Sequence, residues 1–174
     1  MGIDARFRKL NGLAWEHIRA KDFARAEQVL RGLLEETSGE ATEPDRRWYL
    51  IGLLADVLGS LERFDESVDM RRRALSAARA CRYPESAQRA SQYMLAYYLL
   101  WHGAFLEACC EAAPLPTGKG HVQSLLHSVV AQGLWKLSRY EESAKAARRA
   151  IESCPTDDRR VEVSRELGHI LNAG

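Results

Sequence analysis

The sequence predicts an all-helical array of antiparallel helix pairs, and two observations carry that prediction. A small residue in an apolar helical stretch recurs four times, at Ala14, Ala55, Ala96 and Ala131, each followed nine residues on by an aromatic, Phe23, Phe64, Phe105 and Tyr140. The aromatics lie 41, 41 and 35 residues apart. A two-helix unit of this size cannot bury its apolar faces alone, so stacking of neighbouring units has to supply the core. The second observation is the punctuation between units. Thr37-Ser38-Gly39 with Pro44, Tyr83-Pro84-Glu85-Ser86, and Pro114-Leu115-Pro116-Thr117-Gly118 each interrupt the apolar period.

The first pair is placed at residues 3–20 and 22–37, where Leu10, Leu13 and Ala14 precede Asp22-Phe23 and Ala26, Leu30 and Leu33 follow. The second pair occupies 44–61 and 63–81, with Leu54, Ala55, Leu58 and Leu61 before Phe64, and Ala74 after it. The third, 84–103 with 105–113, has a short second helix. Pro114 and Pro116 stop it, because proline lacks an amide donor and clashes with the preceding turn. The fourth covers 120–138 and 140–154, from Val130, Ala131 and Leu134 through Ala147 and Ala150 to Pro155. A last helix, 157–171, alternates Arg159, Arg160, Glu162, Arg165 and Glu166 with Val161, Leu167, Ile170 and Leu171, the pattern of a cap with one wet face. No polar cap precedes the first unit, which leaves Leu10 and Leu13 nearer to solvent or to a partner subunit and permits a homodimer.

These offsets resemble the tetratricopeptide repeat (TPR), and the resemblance covers nearly the whole chain. Tyr140-Glu141-Glu142-Ser143-Ala144 through Ala150 to Pro155 carries it best, while Ser67 stands where the family has alanine. The family period is 34 residues, and two intervals here exceed it by about two helical turns, which implies longer helices. The resemblance implies an all-α fold, a right-handed α-solenoid of four helix pairs plus the cap, forming a single TPR-like domain over residues 1–174.

Composition fits that expectation. The chain has 174 residues, 46% apolar and 28% charged, with a formal charge of only +1, so no bulk electrostatic footprint calls for nucleic acid or an anionic membrane. Met1 to Lys9 contains Asp4, Arg6, Arg8 and Lys9 without an apolar signal-peptide core, and the cytoplasm is the default compartment. The runs Arg71-Arg72-Arg73, Arg148-Arg149 and Arg159-Arg160 lie near acids and are read as solvated helix faces.

Constellations that carry chemistry are weak. His17, His102, His121, His127 and His169 are scattered, and His121 and His127 lie six apart, on different helix faces, so they cannot form the four-residue chelate. His17 is read as a hydrogen-bonded core histidine. Cys81, Cys109, Cys110 and Cys154 lack redox or zinc spacing and are read as small packing residues. Thr117-Gly118-Lys119-Gly120 lacks the glycine spacing, the hydroxyl and the preceding strand of a phosphate loop. No catalytic residue, metal or cofactor is expected.

In arrays of the TPR kind the first helix of each pair lines a concave groove. Carried onto this sequence, that geometry selects Arg8, Asn11, Trp15 and Arg19 from the first unit and Tyr49 and Asp56 from the second. It selects Tyr93, Tyr97 and Trp101 from the third, and Gln132, Trp135 and Lys136 from the fourth. Tyr93, Tyr97 and Trp101 recur every four residues and make one ridge along a helix face. One reading has these rings fill the groove among themselves. The other has them bury side chains of a partner, with Arg8, Arg19 and Lys136 against Asp56 favouring an apolar and acidic segment. The clamp by which TPR domains hold the acidic tails of heat-shock chaperones is not reproduced, since Asn11 and Trp15 occupy its first lysine and asparagine places. The function expected is a non-enzymatic protein or peptide binder. Alternatives are a self-assembling subunit, and a small-molecule sensor or enzyme with a pocket near Trp101, His102 and Trp135.

Overall fold

The computed structural model describes residues 3–37, 43–113 and 120–172, with the side chains of residues 3 and 4 left aside, and among these residues the secondary structure is helical. The loop residues Ser38-Gly39, Pro114, Pro116 and Thr117-Gly118-Lys119 fall outside them. The helices are α1 (Ile3–Arg19), α2 (Phe23–Glu36), α3 (Pro44–Ser60), α4 (Phe64–Ala77), α5 (Pro84–Trp101), α6 (Phe105–Ala112), α7 (His121–Lys136), α8 (Tyr140–Glu152), α9 (Asp157–Glu166) and α10 (Gly168–Leu171). The chain divides into two compact units, residues 1–91 and 92–174.

In the first unit α1 packs on α2, α2 on α3 and α3 on α4. Its core is built from Ala14, Ala26, Leu30, Leu50, Leu54 and Leu58, all buried. The second unit packs α6 on α7 and α7 on α8, and α8 in turn receives α9 and α10. There Ala131, Leu134, Ala147 and Ala150 are covered by Val163, Leu167 and Ile170. The predicted cap is therefore present but broken. Leu167, fully buried, separates α9 from α10, and Thr156 caps α9 by accepting the Arg159 amide. Val161, expected on the apolar face, is exposed instead.

Each helix pair turns in the same way. Two residues before every aromatic the backbone is left-handed, with φ of 58° at Lys21, 60° at Glu62, 81° at Gly103 and 60° at Ser138. The same two hydrogen bonds close each turn. In the fourth unit the Ser138 amide donates to the Trp135 carbonyl at 3.0 Å and the Arg139 amide to the Leu134 carbonyl at 2.9 Å. This pairing satisfies the last carbonyls of the first helix and reverses the chain, at the expense of a left-handed conformation that only glycine takes without strain. Only one turn uses glycine. Ser138→Gly and Glu62→Gly should each raise stability by about 0.5–1 kcal/mol, and Gly103→Ala should lower it by about 1 kcal/mol, as read from thermal denaturation.

The small residue of each first helix and the residue twelve positions on are both small and buried: Ala14 and Ala26, Ala55 and Ser67, Ala96 and Ala108, Ala131 and Ser143. Where serine stands, its hydroxyl donates across the pair. Ser67 Oγ reaches the Ala55 carbonyl and Ser143 Oγ the Ala131 carbonyl, both at 2.7 Å. Ser67 therefore departs from the family's alanine because its hydroxyl has a buried acceptor within reach. The same two units pair Arg63 with Glu66 and Arg139 with Glu142, across the start of their second helices.

Other expectations need correction. Helix α4 ends at Ala77 and passes into a short 3-10 turn, Ala78–Ala80, before an extended Cys81. Arg71 is not on a solvated face. It is buried, and its Nη2 lies 2.6 Å from Asp56 Oδ1. His17 sits half-buried at the end of α1, its Nδ1 4.0 Å from Asp22 Oδ2, so the buried histidine is His127, whose pKa is lowered chiefly by burial. Cys81 and Cys154 are buried packing residues as read, and burial with the neighbouring Asp45 pushes the Cys81 thiol up to about 11.

Candidate binding surface

The predicted ridge exists on α5. Side chains four apart on a helix stack above one another, and the ring centroids of Tyr93 and Tyr97 lie 5.6 Å apart, those of Tyr97 and Trp101 6.1 Å. The rings touch each other but do not bury each other. Tyr97 is 38% exposed and Trp101 71%. The ridge forms one wall of a cavity of about 640 Å³. Leu100, Gly103, Phe105 and the α7 residues Leu125, Ser128, Val129, Gln132 and Lys136 also line it, with Glu166 at the end of α9. Five residues named from the sequence, Tyr93, Tyr97, Trp101, Gln132 and Lys136, thus line one hollow within the second unit.

Trp135 does not join them. Its ring packs against Tyr140 at 4.8 Å and His169 at 5.6 Å, on the side where the last helix closes the core. His102 likewise turns to Tyr98, 4.5 Å between ring centroids. The pocket imagined from Trp101, His102 and Trp135 is therefore not assembled.

Electrostatically the hollow is mixed rather than basic. Lys136 and Glu166 both line it, and sequence reasoning missed Glu166 because it belongs to the cap and not to a first helix. Burial, followed by the proximity of Tyr97 and Glu166, holds the Tyr93 phenol above its ordinary range, so it remains a neutral hydrogen-bond donor. Helix α7 comes close to α6 behind the hollow. Gly133 has room for no side chain there, and burial raises the pKa of the nearby Cys109 thiol.

The first-unit residues are arranged by themselves. Trp15 Nε1 donates to the Tyr49 hydroxyl at 2.7 Å, joining α1 to α3. Asp56 is held by Arg71, Asn11 has a buried side-chain oxygen with no hydrogen-bond donor among the described residues, and Arg8 and Arg19 are exposed. Asp56 is thus a structural partner and not a lone groove acid. Among the described residues no group of three or more His, Cys, Asp or Glu is arranged to hold a metal ion.

No family model and no curated protein matches the sequence. Solved structures do match in fold. A Podospora anserina protein described as a kinesin light chain with nearly identical TPR-like repeats superposes with a TM-score of 0.73 at 16% identity, over 99% of this chain and 89% of that one. MamA from Desulfovibrio magneticus RS-1 gives 0.63 at 14%, over 98% and 85%. BtubC from P. vanneervenii gives 0.65 at 17%, over 86% and 62%. The chain has the all-α, TPR-like repeat fold. No helix among the described residues is long and apolar enough to cross a membrane.

Proposed function

We propose that this protein is a non-enzymatic interaction module that binds a peptide or protein segment by taking its apolar side chains into the hollow beside α5. The observation that carries this reading is Trp101, a tryptophan 71% exposed at the rim of a 640 Å³ cavity, continued inward by Tyr97 and Tyr93. That volume lies in the range of about 300–1,000 Å³ typical of ligand sites. Tyrosine and tryptophan offer large contact area with few rotamers and keep a polar atom for the partner backbone. Gln132 and Lys136 on the facing helix supply donors, and Glu166 an acceptor, so the segment is held by apolar anchors with mixed polar contacts. The balance of Lys136 against Glu166 gives no preference for an acidic segment at this hollow.

The test begins with affinity capture of partners from the native cell, followed by titration of the captured segment as a synthetic peptide. Tyr97→Ala combined with Trp101→Ala should weaken that titration about tenfold, equivalent to one lost apolar anchor, with unchanged helical content by circular dichroism. Equal affinity for the double variant would remove the hollow as the site. Sedimentation of the free protein separates this reading from self-assembly: a dimer in which the hollow is covered would favour a subunit contact over capture of another chain.

A further inference from the structure

The first unit carries a second cavity, of about 320 Å³, on the side of α3 that faces the second helices of the pairs. Its floor is apolar: Leu34 of α2, Ile51 and Leu54 of α3, and Met70 of α4. Its rim is basic, because Arg31, Arg47 and Arg73 converge on it from the same three helices, with Glu35 as the one acid among the lining residues. Arg31 is already engaged, its Nε 2.8 Å from Glu27 and its Nη2 3.5 Å from Glu66. The other two guanidiniums have no carboxylate partner among the described residues. Arg47 is exposed and forms no ion pair among the described residues, and the polar contact of Arg73 is to the Met70 sulfur at 3.3 Å.

We infer that this cavity is a docking site for a short protein segment in which a bulky apolar side chain is flanked by carboxylates. Charge complementarity selects the occupant. Two guanidinium forks without carboxylate partners among the described residues, held on different helices around an apolar floor, present donors in the geometry that carboxylates accept in pairs. The volume admits an apolar side chain or two but no folded element, so the anchor is a side chain of an extended or single-turn segment. The site is separate from the aromatic hollow. It lies wholly within residues 31–73 and shares no residue with that surface.

The experiment uses the full chain and a fluorescein-labelled, amidated peptide, Glu-Asp-Leu-Phe-Asp-Glu, followed by fluorescence anisotropy. The wild type should bind it, with affinity falling as salt rises. Arg47→Glu with Arg73→Glu should weaken binding about tenfold or more, and Arg47→Gln with Arg73→Gln by less. Helical content should not change, since neither side chain pairs with an acid among the described residues and both are exposed. Replacing Leu-Phe of the peptide by Ser-Ser should abolish binding. Arg148→Glu with Arg165→Glu should bind as the wild type does. The inference is overturned if the Arg47 and Arg73 variants bind normally, or if the Arg148 and Arg165 variant loses as much affinity, which would make the attraction non-specific. It is also overturned if decanoate binds with the same arginine dependence while the peptide does not, which would make the cavity a small-carboxylate site.

Discussion

Leu30→Ala should lower the stability of the protein by about 2–5 kcal/mol, read as a shift in the urea midpoint at unchanged slope. Leu30 is completely buried at the middle of α2, in the core formed with Ala14, Ala26 and Leu54. The core around it consists largely of alanines and leucines on helices already packed together, so it can collapse only in part into the space left by the removed atoms. The loss therefore combines the transfer free energy of the missing methyls with that of a residual cavity. Leu106→Ala provides the contrast. That leucine is 61% exposed on α6, and its truncation should change stability by no more than about 0.5 kcal/mol. Equal losses at the two positions would contradict the packing described for the first unit.

Gly133→Ala should destabilise by about 1–3 kcal/mol, although alanine is the better helix former. Helix propensity alone predicts the reverse, a gain of about 1 kcal/mol from replacing glycine inside α7. The geometry decides against it. A Cβ at position 133 would stand 2.6 Å from Cys109 Sγ and 3.3 Å from the Phe105 carbonyl oxygen. The thiol can rotate away, but the carbonyl belongs to the backbone of α6 and can move only with its helix. Gly12, Gly32 and Gly52 face open space. Gly32→Ala at such a site should follow propensity and stabilise by about 0.5–1 kcal/mol. The opposite signs at Gly133 and Gly32 are the measurement, and Cys109→Ala should recover part of the Gly133→Ala loss in a double-mutant cycle.

Much of the architecture was legible because it depends on spacing. Alanine and an aromatic nine residues apart mark each pair, and the four-residue interval of Tyr93, Tyr97 and Trp101 fixes their common face whatever the surrounding structure. What escaped was set by partners distant in sequence. Arg71 is drawn inward by Asp56, fifteen residues upstream, so a run of three arginines that looks uniformly wet holds one buried member. Trp135 sits on the expected helix at the expected register, yet Tyr140 and His169 claim its ring, and nothing in α7 announces them. Glu166 reaches the hollow only because the last helices fold back over α8. The left-handed turns at Lys21, Glu62 and Ser138 were invisible for another reason. The residues there carry no glycine signature, and the hydrogen bonds of the turn impose the conformation on side chains that do not prefer it.

The serine hydroxyls that cross the second and fourth pairs also set how each hairpin yields to force. A donor anchored on one helix and an acceptor fixed on the other resist axial sliding, because a displacement of one residue carries the oxygen out of reach. The α1–α2 and α5–α6 hairpins carry alanine at that level and are tied elsewhere, by the Arg6–Glu36 ion pair at 2.6 Å and by Gln92 Nε2 donating to the Glu111 carbonyl at 2.6 Å. The hairpin bearing the exposed tryptophan is thus tied near the end of its short second helix, whereas the α7–α8 hairpin is locked at the small-residue crossing itself.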